Sequence, residues 1–176
     1  GAFHYLKDKN FPLAQLDFIS GDFDSHTGND ENIYHEKFIF TPDQNFTDFQ
    51  KALDILKNKG IKKVDVYGGS GGEQDHFLGN LHVAFLFREL IEIIFYDELS
   101  QYYFIPKEFE MKSVEGKMIS LVPFPKVENL ITDGLNWELR NEELDITTRI
   151  GTRNFAKKDV VKISYKVGDL LIFIGK

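Results

Sequence analysis

The sequence predicts a mixed α/β fold in which a Rossmann-like, mostly parallel sheet with helices is followed by a smaller all-β sandwich domain. Three observations predict it. From Leu16 to Asp97, short apolar runs alternate with amphipathic stretches of helical period, the pattern of βαβ units. After Tyr102 the helical period stops, and short apolar runs follow one another between turn-like pairs such as Glu115-Gly116, Asp133-Gly134 and Gly168-Asp169. A 42% apolar fraction with 17 Phe, 7 Tyr and 1 Trp in 176 residues supplies core material for one large domain or two small ones. The change of texture divides the chain into an α/β domain over residues 1–102 and a β domain over 103–176.

Gly1-Ala2-Phe3 opens a short helix-like stretch with no strand ahead of it, so an upstream segment is expected to be missing. Strands follow at Leu16–Ser20, Lys37–Phe40, Lys63–Tyr67 and Ile91–Tyr96. Between the second and third lies the best-defined helix. Thr47 with Gln50 three residues on forms a capping box; Phe49, Ala52, Leu53 and Leu56 form one apolar stripe, and Gly60 suits the C-terminal stop. Asp48 therefore falls in the first helical turn, beside the positive end of the dipole. A second helix is predicted from about Asp75 to Leu90, with Asp75 as its cap. In the second half the strands read as Met118–Val122, Leu144–Thr148, Val160–Tyr165 and Leu170–Ile174.

Composition narrows the function. With 21 Lys plus Arg against 28 Asp plus Glu the net charge is −7, which argues against a nucleic-acid backbone as partner. The chain has no Cys, so it has no disulfide, thiolate nucleophile or zinc–thiolate site, and a cytoplasmic location is expected. No apolar run approaches the roughly 18 residues that span a bilayer, and no membrane partner is expected.

Three acidic clusters stand where strands give way to loops or helices. In GDFDS at Gly21 to Ser25, Asp22 and Asp24 are one residue apart; in extended backbone they point the same way and can share one hard cation. A structural turn, or a phosphatase with Asp22 as nucleophile, uses the same pattern. In DQNFTD, Asp43, Gln44 and Asp48 follow the strand ending at Phe40, where loop solvation and helix capping also explain them. The third cluster, GGSGGEQDH, links a strand to a helix, so its backbone N–H groups can cradle a phosphate. It matches neither common fingerprint: position 74 is Gln, and no Gly-Lys-Ser/Thr follows. What lifts the three together is their common place on the carboxyl edge of a parallel sheet, where ligands bind. The five His form no metal set, and His76 is the one placed near that crevice.

In this order and spacing the clusters resemble the thiamine pyrophosphokinase family. The residues that carry the resemblance are GDFDS, TPDQNFTDFQKAL at Thr41 to Leu53, and GGSGGEQDHFLGNL at Gly68 to Leu81. It extends to Gly151-Thr152-Arg153-Asn154 ahead of the last two strands, and so covers most of the chain. The resemblance implies Mg²⁺-dependent transfer of pyrophosphate from ATP to thiamine, leaving AMP. It also implies a homodimer in which the β domain of one subunit completes the thiamine pocket of the other. By position it implies Asp22, Asp24, Asp48 and Asp75 as catalytic and metal-binding groups. Ser25, Asp43, Gln44, Gly71, Gly72 and His76 would lie on the nucleotide side, and Thr152, Arg153 and Asn154 on the thiamine side.

Two positions depart from the family pattern. Glu73 stands where the family has Arg, and Arg153 where it has Ser; Arg153 is expected to restore part of the missing positive charge. Of the family's first strand and Asp-Gly-Gly-Ala turn, Gly1-Ala2 remain. Trp137 is a candidate stacking partner for the thiazolium cation, although a single Trp in a β-rich half is more often core. Two other readings stay open: a pyrophosphokinase for another heteroaromatic alcohol such as a pterin, and a non-catalytic sensor of nucleotides or thiamine phosphates.

Overall fold

The computed structural model describes residues 2–22 and 35–176. The chain divides into two compact units, Gly1–Lys62 with Asp75–Ile91, and Lys63–Gln74 with Glu92–Lys176.

The first unit contains helix α1 (Ala2–Asp8), strands β1 (Ile19–Gly21) and β2 (Phe38–Phe40), helix α2 (Asp48–Asn58) and all but the first residue of α3 (Gln74–Phe87). β1 and β2 run parallel, with Ile19 opposite Phe38 and Gly21 opposite Phe40. The pairing continues one step past the strands, because the Thr41 N–H donates to the Gly21 carbonyl at 2.9 Å. α2 forms as its sequence dictates. The Thr47 side chain accepts the Gln50 N–H at 3.2 Å, satisfying one of the orphan donors of the first turn. At the other end Gly60, at φ +80°, lets the chain reverse. Its N–H reaches the Lys57 carbonyl at 2.9 Å while the Ile61 N–H reaches that of Leu56 at 3.1 Å, the paired bonds of a Schellman stop. The predicted stripe faces inward, with Leu53 fully buried and Phe49, Ala52 and Leu56 half-buried. α3 buries Leu81, Val83, Ala84 and Phe87, and the Lys57 ammonium lies 5.5 Å over the Phe87 ring, joining the two helices.

The second unit contains β3 (Lys63–Tyr67), β4 (Glu92–Tyr96), β5 (Ser100–Ile105), β6 (Glu108–Met111), β7 (Met118–Asp133), β8 (Arg140–Asp145), β9 (Gly151–Phe155), β10 (Val161–Ser164) and β11 (Val167–Gly175). Among the described residues they make one sheet in the order β3-β4-β5-β11-β7-β10-β6, with β8 and β9 also paired to β7. β7 is the spine. Its buried Ile119, Leu121, Val127 and Leu130 pack with Leu170, Ile172 and Ile174 of β11 and Val161 and Ile163 of β10. Each such side chain stabilises the fold by about 1.5–3 kcal/mol relative to exposure. A second feature of this unit is a run of stacked rings: Phe95 on Tyr102 at 5.0 Å between centroids, and Tyr102 on Phe173 at 4.9 Å.

The expectation of a mostly parallel sheet is overturned. β1–β2 and β3–β4 are parallel, but they belong to separate sheets, and the larger sheet is otherwise antiparallel. The cause lies just after β4. Asp97 Oδ1 accepts the Leu99 and Ser100 N–H groups at 2.8 and 2.7 Å, folding a tight turn that sends β5 back along β4 with Tyr102 opposite Phe95. A turn of that length returns the chain antiparallel, whereas a parallel neighbour needs a long crossover.

Other expectations shift in detail. β5, β6 and β9 went unforeseen. β7 runs far past Val122, because Pro123, Pro125 and Lys126 hide its continuation in the apolar pattern. β8 begins at Arg140 rather than Leu144, in the charged stretch RNEELD. Among the described residues, no helix is long and apolar enough to cross a membrane.

Candidate functional site

Because β1 and β2 are parallel neighbours, the segments that follow them leave from one edge of their sheet, the edge where α/β folds place ligands. Asp22 directly follows β1. Gln44 lies on the turn after β2, and its Nε2 donates to Asp22 Oδ2 at 2.9 Å. Asp43 shapes that turn, its Oδ1 accepting the backbone and side-chain N–H groups of Asn45 at 2.9 and 2.8 Å. Asp48 is the first residue of α2, where orphan N–H groups and the dipole favour a negative charge.

One helical turn further on, Lys51 reaches back. Its Nζ lies 2.7 Å from Asp48 Oδ1 and donates to the Thr41 and Asp43 carbonyls at 2.8 and 3.3 Å. The Lys51 side chain is only 10% exposed, that of Asp48 60%. Beside these groups, Thr41 Oγ1 is buried with no hydrogen-bond partner among the described residues. Lys51 lies in the quoted stretch TPDQNFTDFQKAL but was given no role there, because its three-residue spacing from Asp48 also describes an ordinary surface ion pair.

In the second unit, Gly68–Gly72 follows β3. Gly69 rests on the ring stack: an added Cβ would lie 2.7 Å from Phe95 Cδ1. Ser70 hydrogen-bonds the Tyr102 hydroxyl, an interaction that opposes the larger effect of burial, which raises the Tyr102 pKa. The loop is thus anchored at its start. Gly71, at φ +87°, and Gly72 are exposed, and, their chain neighbours aside, no atom of the described residues lies within 4 Å of where their Cβ would stand.

Asp75 does not cap α3. The helix begins at Gln74, so Asp75 lies inside the first turn, and its Oδ1 accepts the N–H of His76 at 2.9 Å. Along the exposed stretch 73–76, Glu73, Asp75 and His76 each bring one ligand atom within 4.8 Å of the others. Asp75 and His76 were both expected near the site, but Glu73 was read only as a departure from the family pattern and not as their companion ligand. Asp24 and Ser25 lie outside the described residues.

On β9, Thr152 and Arg153 are exposed, and Arg153 adopts a left-handed backbone at φ +55° while its N–H donates to Ser120 Oγ at 2.9 Å. Such a conformation costs a non-glycine residue of order 1 kcal/mol and is held only where its surroundings impose it. Asn154 grips the backbone of Trp137 from both sides, Oδ1 accepting its N–H at 3.1 Å and Nδ2 donating to its carbonyl at 2.7 Å. The Trp137 ring meets Phe155 edge-on at 5.4 Å yet remains 60% exposed. The expectation that Trp137 is core is therefore overturned, because Asn154 fixes its loop outside the apolar interior.

Asp22 and Asp48 each offer carboxylate oxygen, the ligand type that a hard divalent cation takes, whereas the three possible ligands that meet within 4.8 Å among the described residues are Glu73, Asp75 and His76.

Fold and site together define a mixed α/β protein in which Asp22 and the Asp43–Asp48 segment follow two parallel strands and are linked through Gln44. The family model described as thiamin pyrophosphokinase, catalytic domain, matches residues 1–95, and that described as thiamin pyrophosphokinase, vitamin B1 binding domain, matches residues 103–170. The chain belongs to the thiamin pyrophosphokinase family. It is similar to thiamine pyrophosphokinase 1 of rice, Oryza sativa subsp. japonica, with 27% identity over 164 residues, 84% of this chain and 62% of the rice protein. Its span is thus less than two thirds of that relative's length. It is 27% identical to the thiamine pyrophosphokinase of Bacillus subtilis over 81% of this chain and 75% of that one. Solved structures share the fold. The B. subtilis thiamine pyrophosphokinase aligns with a TM-score of 0.78 at 24% identity, covering 89% of this chain and 77% of its own. A thiamin pyrophosphokinase family protein from Enterococcus faecalis aligns at 0.82 and 22%, covering 98% and 84%.

Proposed function

We propose that this chain is an ATP-dependent thiamine pyrophosphokinase, joining the terminal diphosphate of ATP to thiamine to give thiamine diphosphate and AMP. The observation that carries the reading is the contact of Asp22 with Gln44, which unites two of the three clusters at one strand edge, with Lys51 and Asp48 beside it. Family membership supplies the reaction class.

In the proposed reaction the hydroxyethyl oxygen of thiamine bonds to the β-phosphorus of ATP. The bond from that phosphorus to the oxygen bridging to the α-phosphorus breaks, and AMP leaves with the oxygen. The hydroxyl proton passes to a carboxylate or to water. Asp22 and Asp48 would hold Mg²⁺, with Asp24 and Asp75 as further carboxylates, and the ion would neutralise triphosphate charge. What the chain itself contributes is mostly positioning. Gly71 and Gly72 present open backbone to the phosphates, with Ser25, Asp43, Gln44 and His76 on the nucleotide side. Thr152 and Asn154 hold the aminopyrimidine, Trp137 offers an exposed ring to the thiazolium, and Arg153 replaces part of the charge lost at Glu73.

In this reading residues 1–102 form the catalytic part and 103–176 the thiamine-binding part, a division that the two family matches support, and the chain works as a homodimer. A Cys-free chain suits the reducing cytoplasm. The test is incubation with ATP, Mg²⁺ and thiamine. AMP with thiamine diphosphate is expected. ADP would mark an ordinary kinase and free phosphate a hydrolase; turnover of a pterin alcohol instead of thiamine would reassign the acceptor, and ligand binding without product would make the chain a sensor.

A further inference from the structure

We infer that Lys51 is a positioning residue of the candidate metal site: its ammonium ties the turn after β2 to the first turn of α2 and so sets Asp48 relative to the Asp22–Gln44 pair. An ammonium has three N–H donors and no acceptor, and here three oxygens converge on it, from Thr41, Asp43 and Asp48. A charge this little exposed is tolerated only when its donors are satisfied, so the geometry of the oxygens is as fixed as that of the lysine.

The contacts form a chain. Asp48 meets Lys51, Lys51 holds the carbonyl of Asp43, the next residue is Gln44, and Gln44 donates to Asp22. Lys51 is the side chain in it that touches both α2 and the turn, so the span from helix to strand end passes through one ammonium. Within the turn, Asp43 Oδ1 binds Asn45, but the Thr41 Oγ1 hydroxyl at its start is buried without a partner among the described residues, so at that end the contact on offer is the one from the ammonium to the Thr41 carbonyl. Without the ammonium, two carbonyls lose their donor, the turn relaxes, and the exposed Asp48 carboxylate is no longer directed. Arginine is a poor substitute, because its planar fork suits paired acceptors in one plane rather than three converging on a point.

The consequence for turnover rests on the proposed function, but the consequence for cation binding does not. Mn²⁺ alone is titrated into the full chain and followed by electron paramagnetic resonance, with circular dichroism confirming the fold. Lys51→Met, which keeps the aliphatic stem, is expected to weaken Mn²⁺ binding about tenfold or more, as loss of outer supports around a metal does elsewhere. Lys51→Arg should lie between Met and wild type. In the enzyme assay the Mg²⁺ needed for half-maximal rate should rise in parallel and kcat fall, with the KM for thiamine unchanged. Should Lys51→Met fail to fold, Lys51→Arg carries the test. A folded Met or Arg variant that binds Mn²⁺ as wild type does overturns the inference, and so does a wild type that binds no Mn²⁺ at all. A wild type that binds Mn²⁺ but makes no AMP sinks the proposed function alone.

Discussion

Gln44 and Asp22, 22 positions apart in the chain, are joined by a hydrogen bond of 2.9 Å between amide nitrogen and carboxylate oxygen. The contact exists because β1 and β2 run parallel and in register to their ends, so that residues just beyond Gly21 and Phe40 emerge together. It fixes one carboxylate at the edge shared by both strands, the edge to which the proposed function assigns the nucleotide phosphates.

Asp22→Asn keeps the shape of the side chain and removes its charge. If the carboxylate serves charge neutralisation in phosphoryl transfer, kcat should fall about a hundredfold or more. The thermal midpoint should hardly move, since Asp22 is not part of an apolar core. Steady-state AMP formation and a thermal melt on the same preparation check both halves.

Gly69→Ala puts a methyl group 2.7 Å from Phe95 Cδ1 and 3.0 Å from Cε1. Phe95 is buried and stacked on Tyr102, so it cannot yield freely. Overpacking of this kind costs about 1–3 kcal/mol. Denaturant unfolding should show that loss, and Phe95→Leu combined with Gly69→Ala should recover part of it. The KM for ATP should rise in the single variant, because the glycine loop loses its seat.

Asn154→Ala removes the acceptor and the donor that hold the Trp137 backbone. Two hydrogen bonds of about 1 kcal/mol each put the expected rise in the thiamine KM at about thirtyfold, with the ATP KM unchanged. Tryptophan fluorescence reports the same event directly, since Trp137 is the only Trp and its emission should shift as its loop loosens.

Burial pushes the Tyr103 hydroxyl up to about 12 and raises those of Tyr102 and Tyr96 as well. The fold therefore favours the protonated phenols. The stability they contribute is complete below their ordinary pKa near 10 and is lost as pH rises from there towards 12. The denaturation midpoint should decline across that window, and Tyr103→Phe should make the decline shallower. A slope unchanged in Tyr103→Phe would count against the assignment.

What the sequence disclosed and what it hid follow a physical division. Thr47, Gln50 and Gly60 announced α2 because capping and stopping are decided within a few residues, and the alternation in Lys63–Tyr67 announced β3 because it records a half-buried strand. The meeting of Asp22 with Gln44 was foreseeable from strand ends alone. The antiparallel return at Asp97 was not, since it depends on how a four-residue turn closes and on which strand receives the chain. Nor was Lys51, whose spacing from Asp48 is ordinary and whose burial arises only when the turn at Thr41 and Asp43 folds over it. Trp137 was misjudged for the same reason: its exposure is imposed by Asn154, 17 positions away.

The most direct measurement follows single phosphorus atoms. ATP labelled in its β-phosphate is incubated with the protein, Mg²⁺ and thiamine, and the products are separated. Label recovered in thiamine diphosphate, with unlabelled AMP in equal amount, is the predicted result. Label recovered in ADP or in free phosphate would contradict it.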